Sequence, residues 1–356
     1  MQDQGITATC NGGPGGDQRF SLPQLRRPYL LFLGDVTDAL TLKTAFGLRD
    51  WIPADVLGQW RLGPAVIDLG LRDLAPEAAR ALGAGSVVIG AAPAGGLLPR
   101  QWVSALADAA RAGLDIVSGL HSSLGAFPEL VAAAAEGHAA LRDIRRPPPG
   151  IPVGTGRRRS GKRLLTVGSD CAIGKKYAAL AIAREMENRG WNADFRATGQ
   201  TGLLIAGAGI VIDTVVADFI SGAAEILSPD AEPDHWDVIE GQGSLFHPSY
   251  AGVSLGLLHG SQPDMIVLCH DPQRREIDGC PGVPIPEIET AIQRNLEAAR
   301  LTNPSVRCAG VALNTSRLGE RAAGEVMAQV EARLALPCVD PMRGGVSPIV
   351  DGLAGP

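Results

Sequence analysis

The stretch "LLTVGSDCAIGKKYAAL", residues 164–180, constrains the architecture more than any other part of the chain. An apolar run that reads as a buried strand leads into a glycine-bounded turn and then into an alanine-rich run that reads as a helix. Strand, glycine loop and helix in that order make a turn whose backbone N–H groups and helix N-terminus converge on one anion. The loop carries five residues between Gly168 and Gly174, one more than the usual four. Lys175 is placed to reach a terminal phosphate, but the next position, where Ser or Thr would ligate magnesium, is Lys176. An ammonium does not ligate a cation. A second lysine there favours an anion with uncompensated charge of its own over a magnesium nucleotide.

At 356 residues the chain is too long for one ordinary core, and two domains of about 150–200 residues are expected. The formal net charge of -6 argues against a nucleic-acid partner, because phosphate backbones are held by clustered Lys and Arg. Six cysteines, Cys10, Cys171, Cys269, Cys280, Cys308 and Cys338, show neither a CxxC pair nor metal-ligand spacing. They read as thiols of a reducing cytosol, with no metal site. The opening "MQDQGITATCNGGPGGDQRF" is polar and glycine-rich, unlike a signal peptide, and no apolar run reaches the roughly 18 residues a membrane span needs. A soluble cytoplasmic protein with no membrane partner is expected, with a flexible tail over residues 1–27.

Strand and helix patterns alternate from there on. "YLLFLGD", "PAVIDLG", "SVVIGAAP" and "LDIVSGL" read as strands, and "APEAARALG", "PRQWVSALADAARAG" and "PELVAAAAEGHAALR" as helices, several closing on glycine. Residues 28–146 are thus expected to form a Rossmann-like parallel α/β domain. Prolines and a basic run mark residues 147–162 as a linker. Its arginines read as a solvated hinge, or as a positive rim beside the phosphate loop. Residues 163–356 repeat the alternation through "KKYAALAIAREMENRG", "WNADFRATG", "VVADFISGAAEIL", "WDVIEGQG", "AGVSLGLLHG", "DMIVLCHD", "PEIETAIQRNLEAARL" and "VRCAGVALNT", closing on a helix from Glu320 to Leu334. The fold class expected is α/β in two domains, the second a P-loop NTPase-like, doubly wound parallel sheet.

Candidate site residues cluster where these strands end, since ligands of open α/β sheets bind there. "VIEGQGSLFHP" places Glu240, Gln242, Ser244 and His247 at or beyond one strand end, with Asp237 inside it. Glu240 is a base, a group orienting a substrate amine, or a buried carboxylate bonded to loop amides. "RATGQTG" offers Arg196, Thr198, Gln200 and Thr201 on a glycine-flexed loop, with Arg196 suited to a carboxylate. Asp213 and Asp218 flank the next helix, Asp213 as cap or as catalytic acid. His270 and Asp271 end another strand, and Asn314 ends a late one, as an adenine contact or a turn former. In the first domain Asp35, Lys43 and Thr44 follow one strand, Gly95 and Gly96 a second and His121 a third, the expected contribution of that domain to an interdomain cleft.

The order "KTAFGL", "AAPAGG", "SGLHSSLGAFPEL", "PVGTGR", "VGSDCAIGKK", "ATGQTG", "DFISGAAE", "VIEGQGSLFHP" resembles the bacterial P-loop-containing D-glutamate N-acetyltransferase family, long known only as a domain of unknown function. The resemblance runs from about residue 30 to 345, and "EGQGSLFHP" behind the phosphate loop is its most specific part. It implies an enzyme that moves the acetyl group of acetyl-CoA to the amine of D-glutamate, a small amino-acid substrate. Acetyl-CoA brings a metal-free diphosphate and a 3'-phosphate, for which Gly168, Ser169, Cys171, Ala172, Ile173, Gly174, Lys175, Lys176 and Tyr177, with Asn314, are the expected contacts. Lys43, Thr44, Gly95, Gly96, His121, Arg196, Gln200, Thr201 and Gln242 are expected at the amino acid. Glu240 is the first choice of base, with Asp170 and Asp237 behind it, and His247 or loop amides stabilise the oxyanion. An acetyl-cysteine on Cys171 is conceivable. The rivals are a magnesium-ATP ligase or kinase of the dethiobiotin synthetase kind, which shares the longer loop, and a non-catalytic nucleotide or coenzyme sensor. Alanine-rich helices make a homo-oligomer plausible.

Overall fold

Parallel pairing runs through both sheets of the computed structural model, which describes residues 22, 24–64 and 66–354. Most of the tail expected over residues 1–27, Cys10 included, lies outside the described residues. The chain divides into two compact units. One holds the described residues through Arg146 together with Leu203–Ala208, the other Pro147–Gly202 and the described residues from Gly209 onward.

The N-terminal unit runs β1 (Tyr29–Gly34), α1 (Lys43–Trp51), β2 (Val56–Arg61), α2 (Pro76–Ala81), β3 (Ser86–Ile89), α3 (Arg100–Arg111), β4 (Asp115–Ser118), α4 (Pro128–Glu136) and β5 (Leu141–Asp143). Its sheet has the order β2-β1-β3-β4-β5, all parallel, with Leu31 opposite Val88 and Val87 opposite Ile116. Every residue of β1 is buried, as expected of a parallel strand covered on both faces. Phe32 meets the rings of Trp60 at 4.8 Å and Trp102 at 5.3 Å. Trp102 belongs to the α3 stripe Trp102, Val103, Leu106, Ala107 and Ala110, whose helical spacing turns one face to the core.

From residue 147 on the chain runs β6 (Lys162–Gly168), α5 (Lys175–Asn188), β7 (Ala193–Arg196), α6 (Gln200–Ala206, which from Leu203 on is counted with the first unit), α7 (Ile220–Leu227), β8 (Trp236–Ile239), α8 (Ala251–Ser261), β9 (Met265–His270), α9 (Ile288–Arg300), β10 (Arg307–Leu313), α10 (Glu320–Leu334), β11 (Cys338–Val339) and α11 (Ser347–Leu353). The order β11-β10-β9-β6-β8-β7 puts β6 between β8 and β9. The phosphate loop therefore leaves the sheet flanked by the ends of both neighbours. Among the described residues no helix is long and apolar enough to cross a membrane.

Four readings of the sequence need correction. Residues 66–70, within "PAVIDLG", are not a strand; "VLGQWR" is, and the chain after it returns beside it. The buried amide of Gln59 organises that return, accepting from the Leu69 N–H at 2.8 Å and donating to the Leu71 carbonyl at 3.0 Å. The helix expected over "PELVAAAAEGHAALR" stops at Glu136, with Gly137 as its cap, and Leu141–Asp143 becomes an edge strand. Gln200 and Thr201 open a helix rather than sit in a loop. The arginines of residues 157–163 are neither wholly a solvated hinge nor a rim, because Arg159 and Arg163 are buried at 5% and 1% exposure.

Arg163 donates to the Ser228 hydroxyl at 2.8 Å and to the carbonyls of Ser160 and Pro229 at 2.8 and 3.1 Å. Arg159 donates to the Gly260 and Ser261 carbonyls, and burial with the nearby Arg163 charge pushes its pKa down to about 10. The basic run thus ties the start of this unit to its interior. Arg163→Ala strands those acceptors and the Asp237 carboxylate behind Ser228, and is expected to lower stability by about 3–5 kcal/mol, measured by urea unfolding.

Candidate active site

Gly168 ends β6, and Gly174, at φ 111°, precedes the first residue of α5, Lys175. Between them Ser169 and Asp170 are fully buried, and Ala172 takes a left-handed φ of 51°. The Ser169 hydroxyl shares a 2.8 Å hydrogen bond with His270 Nδ1, and burial pushes the His270 pKa down. Ser244 fixes the loop from behind, its hydroxyl donating to the Gly168 carbonyl at 2.9 Å. Lys175 is buried, with its Nζ donating to the Asp170 carbonyl at 2.7 Å. Desolvation lowers its pKa, so a bound anion would restore what burial takes from the ammonium.

Lys176 lies half-buried at the position of the missing hydroxyl, its Nζ 5.1 Å from the centre of the Tyr177 ring. Glu240 follows β8 and is 4% exposed. Its Oε2 accepts the Thr198 and Gly199 N–H groups, both at 3.0 Å. Burial raises its pKa, partly offset by the positive charge of Lys176 and by the two amides. Gln242 Nε2 reaches the Thr198 hydroxyl at 3.1 Å, which itself donates to the Glu240 carbonyl. Gly202 in α6 leaves room for this carboxylate, since a Cβ there would lie 2.3 Å from Glu240 Oε2. Thr201 is buried, and Gln200 Oε1 is buried without a hydrogen-bond donor. The structure therefore brings Lys176, Glu240, Thr198 and Gln242 together, with Gln200 beginning the adjoining helix.

Other expected site residues are engaged elsewhere. Arg196 donates to Asp237 at 2.6 Å and to Asp194 at 3.0 Å, so its guanidinium already holds two carboxylates. Asp237 also accepts from His235 and Ser228. Burial would raise its pKa, but the His235 hydrogen bond and the Arg196 charge bring it below the ordinary value. His247 uses both ring nitrogens, Nδ1 accepting from the Ser249 N–H at 3.1 Å and Nε2 lying 3.0 Å from the Asp278 carbonyl. Asn314 Oδ1 accepts from the Ser316 N–H, which is the turn-forming alternative. Asp271 holds Arg317 at 2.8 Å. Asp213 and Asp218 lie in 3-10 turns before α7 and neither caps it, Phe219 being the residue at that end.

Asp170, Cys171 and His247, and likewise Asp194, His235 and Asp237, have the donor types of a metal centre. Asp170, His247 and all three of the second group already have protein partners. Arg274 sits on Asp170 at 2.7 Å and Arg196 on both acids of the second group. Arg274 and Asp278 are the site residues that sequence reasoning missed. They lie 104 and 108 residues from Asp170, and only the adjacency of β6 and β9 gives a signal for them.

In the N-terminal unit the expected residues gather at the carboxyl ends of β1, β3 and β4, which are neighbours in the sheet. Asp35 accepts from Trp102 Nε1 at 2.8 Å and Gln101 Nε2 at 3.1 Å, and the Trp102 hydrogen bond lowers its pKa. Lys43 and Thr44 open α1, Lys43 exposed and Thr44 buried, and the next N–H, that of Ala45, donates to the Gly90 carbonyl after β3. Gly96 accepts the His121 N–H at 2.7 Å, and its φ of 62° and the imidazole, 2.3 Å from where a Cβ would be, both require glycine.

Two family models match the chain. The Domain of unknown function (DUF1611_C) P-loop domain covers residues 152–350, and the Domain of unknown function (DUF1611_N) Rossmann-like domain covers residues 65–147. A protein of Pseudoalteromonas sp named D-glutamate N-acetyltransferase is 47% identical over 330 residues, 93% of this chain and 99% of that one. One of the same name from Tritonibacter scottomollicae is 46% identical over the same shares. The crystal structure of a DUF1611 family protein from Anabaena variabilis is 32% identical with a TM-score of 0.83, across 92% of this chain and 99% of that one. Two α/β domains of the expected kinds, in the expected order, place this chain in the DUF1611 family, with a Rossmann-like N-terminal domain and a P-loop C-terminal domain.

Proposed function

We propose that this protein is a D-glutamate N-acetyltransferase that uses acetyl-CoA as donor and holds its phosphates on residues 168–176 without magnesium. The full-length relatives of that name support the activity. The observation that carries the metal-free loop is Lys176, an ammonium at the hydroxyl position with the buried Glu240 in its field. A phosphate on the loop amides would draw Lys175 from the Asp170 carbonyl and meet Lys176 beside it.

Glu240 is the base of this mechanism. Its raised pKa suits proton removal from the D-glutamate ammonium, which has no lone pair until it loses one. Gln200 Oε1, buried without a donor, offers that ammonium an acceptor one residue beyond the Gly199 amide. The freed amine attacks the thioester carbonyl carbon, the C–S bond breaks, and coenzyme A leaves as its thiol with a proton. Glu240 would have to come within about 2.6–3.2 Å of the amine, directly or through one water. Transfer is direct, with no enzyme nucleophile. The described cysteines form no disulfide, which fits reaction in the reducing cytoplasm.

Free-thiol release from acetyl-CoA, followed in the presence of chelator with D-glutamate and L-glutamate supplied separately, tests the proposal. Release with D-glutamate is expected. Silence from folded protein, with ADP formed from magnesium-ATP instead, would assign the loop to a ligase or kinase.

A further inference from the structure

Asp170 was attractive as a base because it is an acid inside the phosphate loop, yet its surroundings give it a different task. The side chain is fully buried. Its carboxylate accepts from the Cys171 N–H at 2.6 Å, from Arg274 Nη1 at 2.7 Å and from the Asp278 N–H at 2.8 Å. Three of roughly four acceptor positions of a carboxylate are thereby taken by protein donors. The same Arg274 Nη1 also donates to the Cys171 carbonyl at 2.7 Å, so one cation bridges the side chain and the backbone of the loop.

The partners come from the segment after β9, which is held in turn. His247, in the segment after β8, lies with Nε2 3.0 Å from the Asp278 carbonyl. Ser169, next to Asp170, meets His270 at the end of β9. The loop is gripped from both flanking strands, and Asp170 is the point where backbone, arginine and the following segment meet.

We propose that Asp170 and Arg274 are a pair of positioning residues that set the phosphate loop in its anion-receiving shape before coenzyme A arrives. Without the pair, the peptide groups of residues 171–174 would have to be ordered by the ligand itself, which weakens binding and leaves the chemical step alone. Arg274 is suited to this by its planar fork. Lysine, a point charge, would not serve the carboxylate and the carbonyl together in the same geometry.

The kinetic part of the test rests on the acetyltransferase reading, so an exchange measurement that needs no turnover accompanies it. Arg274→Gln and Asp170→Asn are each expected to raise KM for acetyl-CoA by about tenfold or more, with kcat within about threefold and KM for D-glutamate unchanged. Arg274→Lys, chosen as the variant most able to fold, is expected to fall between. The double variant is expected to be little worse than either single one, because the two residues act as one unit. In the unliganded variants, hydrogen exchange of the residue 171–174 amides is expected to quicken about tenfold, while that of the strands stays slow. Unchanged exchange in Arg274→Gln and Arg274→Lys would overturn the proposal. A hundredfold loss of kcat in Asp170→Asn, with KM for acetyl-CoA unchanged and the acid limb of the pH profile abolished, would overturn it too and make Asp170 the base. Absence of thiol release by the native protein counts against the acetyltransferase reading alone, since the exchange result still decides the role of the Asp170–Arg274 pair.

Discussion

Replacing Glu240 by glutamine is expected to lower kcat by about 10²–10⁴-fold, the range that a positioned general base supplies. The substitution keeps the shape, and an amide oxygen can still accept the Thr198 and Gly199 N–H groups, so folding is expected to survive. The pH dependence follows from the direction of the shift. Burial raises the Glu240 pKa, and the Lys176 charge and the two amides reverse only part of that. A base works in its deprotonated form. Activity therefore falls as pH drops through the raised pKa, on an acid limb above the ordinary glutamate value of about 4.3. Glutamine abolishes that limb. Full kcat with a raised KM for acetyl-CoA would instead make Glu240 the charge partner of Lys176 and remove it from proton transfer.

Lys176→Thr is expected to raise KM for acetyl-CoA by about 10–100-fold, the equivalent of one charge-assisted hydrogen bond. It also restores the hydroxyl that ligates magnesium, so magnesium-dependent binding of ADP is expected to appear, seen by calorimetry with and without chelator. A third effect follows at Glu240. The Lys176 charge lowers that pKa, so its removal raises it further and moves the acid limb of kcat to higher pH. Tighter binding of magnesium-ADP than of coenzyme A by the unaltered protein would defeat this account of the two lysines.

The α/β alternation was legible wherever strand and helix signals lay within one short window. The helix from Glu320 to Leu334 appears with the same bounds, and the residue 164–180 stretch forms the strand, loop and helix that its pattern requires. "PAVIDLG" misled because a short, mostly apolar stretch looks the same whether it pairs as a strand or packs as a loop. What distinguishes the two is the buried side chain of Gln59, which lies outside the run. α6 was hidden by the glycine on each side of Gln200 and Thr201, although one of them, Gly202, is there for the Glu240 carboxylate.

Chemical type was readable in the same local way, and commitment was not. Asp170, Arg196, Asp237 and His247 all carry groups that acid–base or carboxylate chemistry could use. Their partners, Arg274, Asp237 with Asp194, Arg196 with His235, and Asp278, engage them across strands and loops. The sequence by itself determined the class of fold, the phosphate loop and the lysine in place of a hydroxyl, because turn, helix and anion-site signals are carried by neighbouring residues. Which of these groups already hold protein partners was decided only by the tertiary structure. Pairing β7 with β8 and placing β6 between β8 and β9 brings residues 41 to 108 positions apart into hydrogen-bonding distance, with Glu240 in the field of Lys176 and Asp170 tied to Arg274.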